Sequence, residues 1–286
     1  MQFDCNQLNL DLSSPKVMGI INLTADSFYD GGRYQKQDAY LERAEQLIAN
    51  GADIIDLGAA SSKPGSNLID EHNEWAILEK PIKQIRKLHP NILISVDTYN
   101  PGQVCKCSDL GVNIINDISG GSWNENMFIE IAKFDMAYVM MHIKGRPENM
   151  QDNPSYANLI DELKTYFQFK IDTFESRGFN KIIIDPGFGF GKTLEHNFEL
   201  LAKLKDLGGL GFPVMVGLSR KSMIFRLLKK TPLDSLNGTT ALNMLALQNG
   251  AHILRVHDAK EAYETIKLFL LYKQYSSHRH LNNAKE

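Results

Sequence analysis

The sequence predicts an α/β protein built as a single (β/α)8 TIM barrel. Three observations carry this reading. Eight short apolar runs recur along the chain: VMGIINL (17–23), ADIIDLG (52–58), ILISVDT (92–98), NIINDIS (113–119), MAYVMMH (136–142), KIIIDPG (181–187), PVMVGLS (213–219) and HILRVHD (252–258). Each is rich in Ile and Val and apolar in consecutive positions, as strands covered on both faces are. Their starts lie about 34 residues apart on average, room for a strand, a helix and two loops. Finally, no shift in composition divides the 286 residues, a length that suits two small domains or one barrel.

Taken in order, the first ~15 residues precede the first run and are expected to form a hairpin or plug at the barrel bottom. After the first run, Tyr40, Ala44, Leu47 and Ile48 fall on one helical stripe, and Gly51 follows as a stop. In the last helical segment Ala262, Ile266, Phe269 and Leu270 repeat that pattern, and the tail HRHLNNAKE reads as frayed. The barrel core spans about 16–273 of one domain, 1–286. An open doubly wound sheet is the alternative, but its G-x-G-x-x-G after the first strand is absent. Two connections, LTADSFYDGGRYQK after run one and AASSKPGSNLID after run two, exceed the usual length of ~2–6 residues. They are expected to be mobile lids, with Gly31-Gly32 as a hinge and Phe28 as a covering aromatic.

A net charge of −3 gives no electrostatic footprint for nucleic acid or an anionic membrane, so an anionic ligand needs a local basic cluster. Three cysteines, with Cys105 and Cys107 two apart, read as reduced thiols. The N-terminus lacks a signal-peptide pattern and no apolar run nears the ~20 residues of a membrane span, so a cytoplasmic protein is expected.

Barrel chemistry sits at the C-terminal ends of the strands. Those ends carry Asn22, Asp56, Asp97, Asn116, Asp117, His142, Asp185, Arg220, Lys221, Arg255, His257 and Asp258, with Ser61 and Ser62 just beyond the second run. A carboxylate accepts two parallel N–H bonds from an aminopyrimidine edge, and an Asn both donates and accepts, so Asp97, Asn116 and Asp185 suit a flat aminated heterocycle. Lys221, Arg255 and His257 read as donors and cations for a phosphate or diphosphate. Asn22 offers one neutral oxygen, enough for Mg²⁺ that takes its other ligands from phosphate and water. PGFGFGKT (186–193) nearly matches the phosphate loop G-x-x-x-x-G-K-[ST], but it starts on Pro186, which has no N–H. Its glycines are expected instead to turn the backbone tightly beneath a ligand held by Asp185.

Over residues 16–273 the chain resembles the dihydropteroate synthases of the pterin-binding family. The blocks that carry this are MGIINLTADSFYDGG (18–32), ADIIDLGAASSKPG (52–65), SVDT (95–98), NDISGG (116–121), MHIKGRPENMQDNPSY (141–156), DPGFGFGK (185–192), GLSRKS (217–222) and RVHD (255–258). The resemblance implies a (β/α)8 barrel that joins p-aminobenzoate to 6-hydroxymethyl-7,8-dihydropterin diphosphate with Mg²⁺, as a homodimer. It implies Asn22 on the metal and diphosphate, and Asp97, Asn116, Asp185 and Lys221 on the pterin. Arg255 and His257 would face the diphosphate, Arg255 also along the pterin plane, with Ser62 near that diphosphate. Ser222, at a helix start, would face the aminobenzoate carboxylate, and Phe28 and Pro64 its ring. The catalytic candidates are Asp30, Lys63, Arg255 and His257.

The loops depart from the family pattern. Thr-Ala-Asp-Ser-Phe (24–28) stands for T-P-D-S-F, and GAASSKPG (58–65) for G-G-E-S-T-R-P-G, so Ala60, Ser62 and Lys63 replace Glu, Thr and Arg. Lys63 keeps a charge but not the planar fork of Arg. The departures bear on closure over the second substrate, and so on the response to sulfonamides, which compete with it in this family. Three other readings stay open on sequence alone: a pterin-binding methyltransferase-like barrel, an aldolase with Lys221 as Schiff base, and a degenerate pterin-binding paralogue.

Overall fold

The computed structural model describes residues 1–23, 39–60 and 68–278. An antiparallel hairpin, β1 (Gln2–Cys5) and β2 (Leu8–Asp11), precedes the barrel. The barrel strands are β3 (Lys16–Asn22), β4 (Ile54–Gly58), β5 (Leu93–Asp97), β6 (Ile114–Asp117), β7 (Ala137–Met141), β8 (Ile182–Asp185), β9 (Met215–Val216) and β10 (Ile253–Val256). The helices between and after them are α1 (Ala39–Ala49), α2 (Glu71–Leu88), α3 (Gln103–Asp109), α4 (Asn126–Ile131), α5 (Leu159–Glu175), α6 (Leu194–Ala202), α7 (Ser222–Phe225), α8 (Leu236–Gln248) and α9 (Ala259–His278). All eight predicted runs are strands. They pair in parallel in the order β8-β7-β6-β5-β4-β3-β10-β9. A parallel bridge between Ile184 and Val214 closes the ring, which leaves no open edge.

Side chains on a strand alternate between faces. One phase of each strand, such as Val17, Ile55, Ile94, Ile115, Ile184 and Leu254, packs outward against the helices in the main core. The other phase points inward. Its lowest ring, Met18, Ile54, Leu93, Ile114, Ala137, Ile183, Met215 and Ile253, forms a separate core with Phe3, Cys5, Leu10 and Leu12 of the hairpin. The expected bottom plug is thus a hairpin that covers apolar side chains which would otherwise meet water. Truncating Leu10 to Ala there would cost ~2–5 kcal/mol.

The helices follow their apolar stripes. Tyr40, Ala44 and Leu47 of α1 are buried, and Gly51 ends the turn at φ +91°. In α9, Ala262, Ile266 and Phe269 are buried, but Leu270 departs from expectation: it is 39% exposed, at the edge of the stripe ~40° from Ile266 and ~100° from Phe269. The predicted mobile loops after the first two barrel strands fall mainly on residues 24–38 and 61–67, outside the described residues.

Candidate active site

The inward phase that is apolar at the bottom turns polar higher up. Two residues on from Ile54, Ile114, Ile183 and Ile253 come Asp56, Asn116, Asp185 and Arg255; two on from Ser95 comes Asp97. The alternation carries Asn22 onto the same phase at the mouth, where it is exposed. The period-2 rule therefore gathers at one end of the barrel residues that lie far apart in sequence, from Asn22 to Arg255.

Arg255 sits at the centre of this layer. Its Nε donates to Oδ2 of Asp56 at 2.7 Å, and its second terminal nitrogen donates to Oδ2 of Asp97 at 2.7 Å. Asn116 Nδ2 donates to the same Asp56 oxygen at 3.2 Å. Burial alone would lower the Arg255 pKa, but Asp56 and Asp97 outweigh it and hold the guanidinium above its ordinary range. Burial pushes the Asp97 carboxyl up, with Arg255 opposing and Asp56 adding to the rise. Asp56 is fully buried, and its Oδ1 has no hydrogen-bond partner among the described residues.

Asp185 and Lys221 form the second group. Asp185 Oδ1 accepts the Gly187 N–H at 2.8 Å. Burial raises its pKa, opposed by Lys221, the Gly187 N–H and Arg255. Lys221 Nζ donates to the Phe188 carbonyl and lies 4.7 Å from the Phe190 ring centroid. Burial lowers the Lys221 pKa to about 8, with Asp185 acting to keep the proton. A Cβ at Gly217 of the β9 end would lie 3.9 Å from both Lys221 Nζ and Arg255 Cβ, so both side chains pass close to that bare backbone. The turn after β8 needs its glycines, as expected. Gly187 has φ +71°, and a Cβ there would meet the His142 carbonyl oxygen at 1.9 Å.

His257 is read from sequence as a cation, and the structure corrects this. Burial, then Arg220 and Arg255, lower its pKa to about 4, so the ring is neutral at pH 7 in the free protein. Its Nδ1 shares a hydrogen bond with Ser219 Oγ at 3.0 Å, and its backbone carbonyl accepts from Arg43. Arg220 does not face the mouth as a free charge either, since it forks onto Asp258 at 3.1 and 2.6 Å. Ser222 begins α7, as expected. Phe28, Asp30, Ser62, Lys63 and Pro64 lie outside the described residues, so five of the expected site residues have no place in this geometry.

Two groups were not singled out from sequence. Glu74 of α2 is fully buried, and its Oε2 accepts from Thr98 (2.8 Å), Asn100 (2.9 Å) and Gln103 (3.1 Å), tying α2 to the end of β5 beside Asp97. A glutamate on a helix gives no signal of this in sequence. Lys192 is also buried, bound to its own turn and to His142. Its signal was the near-match to a phosphate loop.

The donor set suits an ion carried in by its ligand. No group of three His, Cys, Asp or Glu side chains among the described residues is placed to hold a metal by itself. Asn22 offers a single exposed amide, which fits Mg²⁺ ligated mostly by phosphate and water.

Comparison with known proteins shows the family. A family model described as pterin binding enzyme matches residues 18–257. The dihydropteroate synthase of Escherichia coli strain K12 is 39% identical over 263 residues, which span 91% of this chain and 92% of that one. The bifunctional dihydropteroate synthase/dihydropteroate reductase of Helicobacter pylori is 38% identical over 90% of this chain and 68% of its own length. Among solved structures, the Yersinia pestis dihydropteroate synthase in complex with a sulfonamide drug superposes with a TM-score of 0.90 at 36% identity, over 96% of this chain and all of that one. The Xanthomonas albilineans dihydropteroate synthase with 4-aminobenzoic acid gives 0.88 at 32% identity, over 95% and 98% of the two chains.

Proposed function

The chain belongs to the pterin-binding enzymes and, among them, to the dihydropteroate synthases, and from that premise we propose that the barrel mouth described above is its active site. It is a transferase of folate biosynthesis. It condenses 6-hydroxymethyl-7,8-dihydropterin diphosphate with p-aminobenzoate to give 7,8-dihydropteroate and diphosphate. The observation that carries the site assignment is the convergence of Asp97, Asn116, Asp185 and Lys221 around Arg255 at the strand ends.

In this reading the ring edge is held by buried carboxylates and an amide whose directions are already fixed. Asp185 is oriented by the Gly187 N–H and Asp97 by Arg255. Lys221 supplies a donor beside the ring, and the flat Arg255 guanidinium lies along it. The electron-rich dihydropterin delocalises positive charge at the methylene as the bond to the diphosphate oxygen breaks. The nucleophile is a weakly basic aromatic amine that needs no strong base. The residues therefore orient, stabilise the departing anion and exclude water. That agrees with a mouth lined by donors and acceptors rather than by a nucleophile–base pair.

Arg255 and His257 face the diphosphate, with Ser62 near it, and Asn22 would hold Mg²⁺ there. The ion supplies charge neutralisation of the leaving group. Ser222 faces the aminobenzoate carboxylate, Phe28 and Pro64 its ring, and Asp30 and Lys63 complete the catalytic set from the two loops. We read the enzyme as a cytoplasmic homodimer. No helix among the described residues is long and apolar enough to cross a membrane. Leu227, Leu228, Leu233, Leu268, Leu271 and Tyr272 of the α7–α9 region are exposed. Diphosphate release from pterin diphosphate and p-aminobenzoate, followed with and without Mg²⁺, tests the reading. No release under either condition refutes turnover by this site. Sedimentation tests the dimer.

A further inference from the structure

The turn from Pro186 to Gly191 carries glycines and ends in a lysine, as a phosphate loop does, yet Lys192 is only 3% exposed. Its Nζ lies 3.0 Å from the Gly187 carbonyl, 3.2 Å from the Phe190 carbonyl and 3.1 Å from His142 Nδ1. Two of these groups can only accept. Burial lowers the Lys192 pKa to about 7, with Asp185 acting to keep the proton. While that proton is held, the ammonium has three N–H donors and the third goes to His142, whose Nδ1 is then bare and whose proton sits on Nε2. The strand-end histidine thus acts as an acceptor for a lysine. His142 is 7% exposed, and burial, with Lys192 beside it, pushes its pKa down to about 2, in keeping with a neutral ring.

The two carbonyls that Lys192 holds flank Phe188, and the Phe188 carbonyl is the acceptor of Lys221. The turn itself has little to fix it. Gly187, Gly189 and Gly191 all have positive φ, and its one internal backbone bond of this kind runs from Phe190 N–H to the Gly187 carbonyl. Side chains from outside the turn hold three more of its groups: Gln151 donates to the Gly189 carbonyl, Tyr156 donates to the Gly191 carbonyl, and Asn197 Oδ1 accepts the Gly189 N–H at 2.7 Å. Lys192 is the group that grips both sides of Phe188.

We propose that Lys192, with His142 as its third acceptor, is a positioning residue for pterin recognition, fixing the Gly187–Phe190 turn so that the Phe188 carbonyl aims Lys221. This rests on the assignment of Asp185 and Lys221 to the pterin. It also accounts for the phosphate-loop likeness: the lysine reaches back to its own loop and is not available to a phosphate.

The test combines affinity with a local spectroscopic signature. Equilibrium binding of the non-reactive probe pterin-6-carboxylic acid is measured for the wild type, Lys192→Met, Lys221→Met and the double variant. Lys192→Met is expected to weaken binding by about tenfold. Because its effect passes through Lys221, the double variant should be no more than ~2-fold weaker than Lys221→Met alone. Wild-type affinity in Lys192→Met, or losses that simply multiply in the double variant, overturns the proposal. Unchanged affinity in Lys221→Met instead removes the pterin assignment on which the proposal rests. In ¹⁵N spectra of the wild-type protein, His142 should show an unprotonated Nδ1 that accepts a hydrogen bond. A proton on Nδ1 refutes the contact, and this measurement decides the case even where Lys192→Met does not fold.

Discussion

Arg255→Met is the perturbation that most directly tests how the mouth is built. Arg255 makes two charge-assisted hydrogen bonds of 2.7 Å to carboxylates that are otherwise buried, and Asp56 already has one oxygen without a partner among the described residues. Methionine fills similar space but leaves Asp56 and Asp97 facing each other with no cation. Removing one partner from a buried pair costs ~3–5 kcal/mol, roughly 10 °C in Tm for a chain of this size. Some of that loss is relieved by protonation. The Asp97 carboxyl is already raised by burial against the opposing pull of Arg255, so without the arginine it rises further and binds a proton at neutral pH. A protonated Asp97 has lost an acceptor for the aminopyrimidine edge, so pterin affinity should fall by ~2–5 kcal/mol, at least ~30-fold in Kd.

The sign of the pH dependence follows. Asp97 has a raised pKa in the fold and an ordinary one unfolded. Between the two, the folded form holds a proton that the unfolded chain lacks, and stability falls as pH rises through that window. The stability deficit of Arg255→Met should therefore be smallest in acid and largest at alkaline pH, whereas its pterin affinity should recover as pH rises and Asp97 ionises. Adding Asp56→Asn removes one of the two like charges and should restore part of the stability. Denaturant unfolding and calorimetry with a non-reactive pterin, each across a pH series, measure both trends. An unchanged pterin Kd at neutral pH, or a loss that does not vary with pH, would refute the reasoning.

Other outcomes follow from the same site. Asp185→Asn keeps the shape but turns one acceptor into a donor, and should weaken pterin binding by ~2–5 kcal/mol in calorimetry; unchanged affinity removes Asp185 from the site. Lys221 is a hydrogen-bond donor on the Phe188 carbonyl, so borohydride with a carbonyl compound should leave its mass unchanged, and a reduced adduct that abolishes activity would favour an aldolase. Replacing residues 25–31 by a short Gly/Ser linker should keep pterin-diphosphate binding within roughly tenfold, ~1.4 kcal/mol, while abolishing productive capture of aminobenzoate, with Lys63→Ala a milder form. Proportional loss of both activities would place those residues in the pterin site.

The strands were legible because barrel strands are covered on both faces and so read as near-continuous apolar runs. The polar strand ends were legible as a set for the same reason: a carboxylate in such a run, as in IIDLG or IIID, has no solvent-facing side to occupy. What the sequence did not reveal is how those groups pair. The Arg255 contacts join strands nearly 200 positions apart, and whether two interior residues meet depends on register and barrel stagger. The charge of His257 was misread because burial and two arginines, not residue type, set it. Glu74 was invisible because its helix position looks like a solvated one until α2 is seen packed against the end of β5. Lys192 was noticed only through a motif whose chemistry it does not share.

These pairings also divide the labour within the mouth. Arg255 is matched by Asp56 and Asp97, Lys221 lies in the field of Asp185, Arg220 is held by Asp258, and His257 is neutral. The groups assigned to the pterin are thus compensated and oriented before any ligand arrives, which is the condition for reading a flat heterocycle without reorganisation. The described groups assigned to the diphosphate bring little charge to spare. Among the described residues that end of the site offers a neutral amide on Asn22, a neutral imidazole on His257 and an arginine whose charge is already shared. Among the described residues a leaving group with several negative charges meets little uncommitted positive charge there. That asymmetry is why changes at Asp97, Asp185 or Lys221 should appear first in pterin affinity, and changes at Lys63 first in turnover.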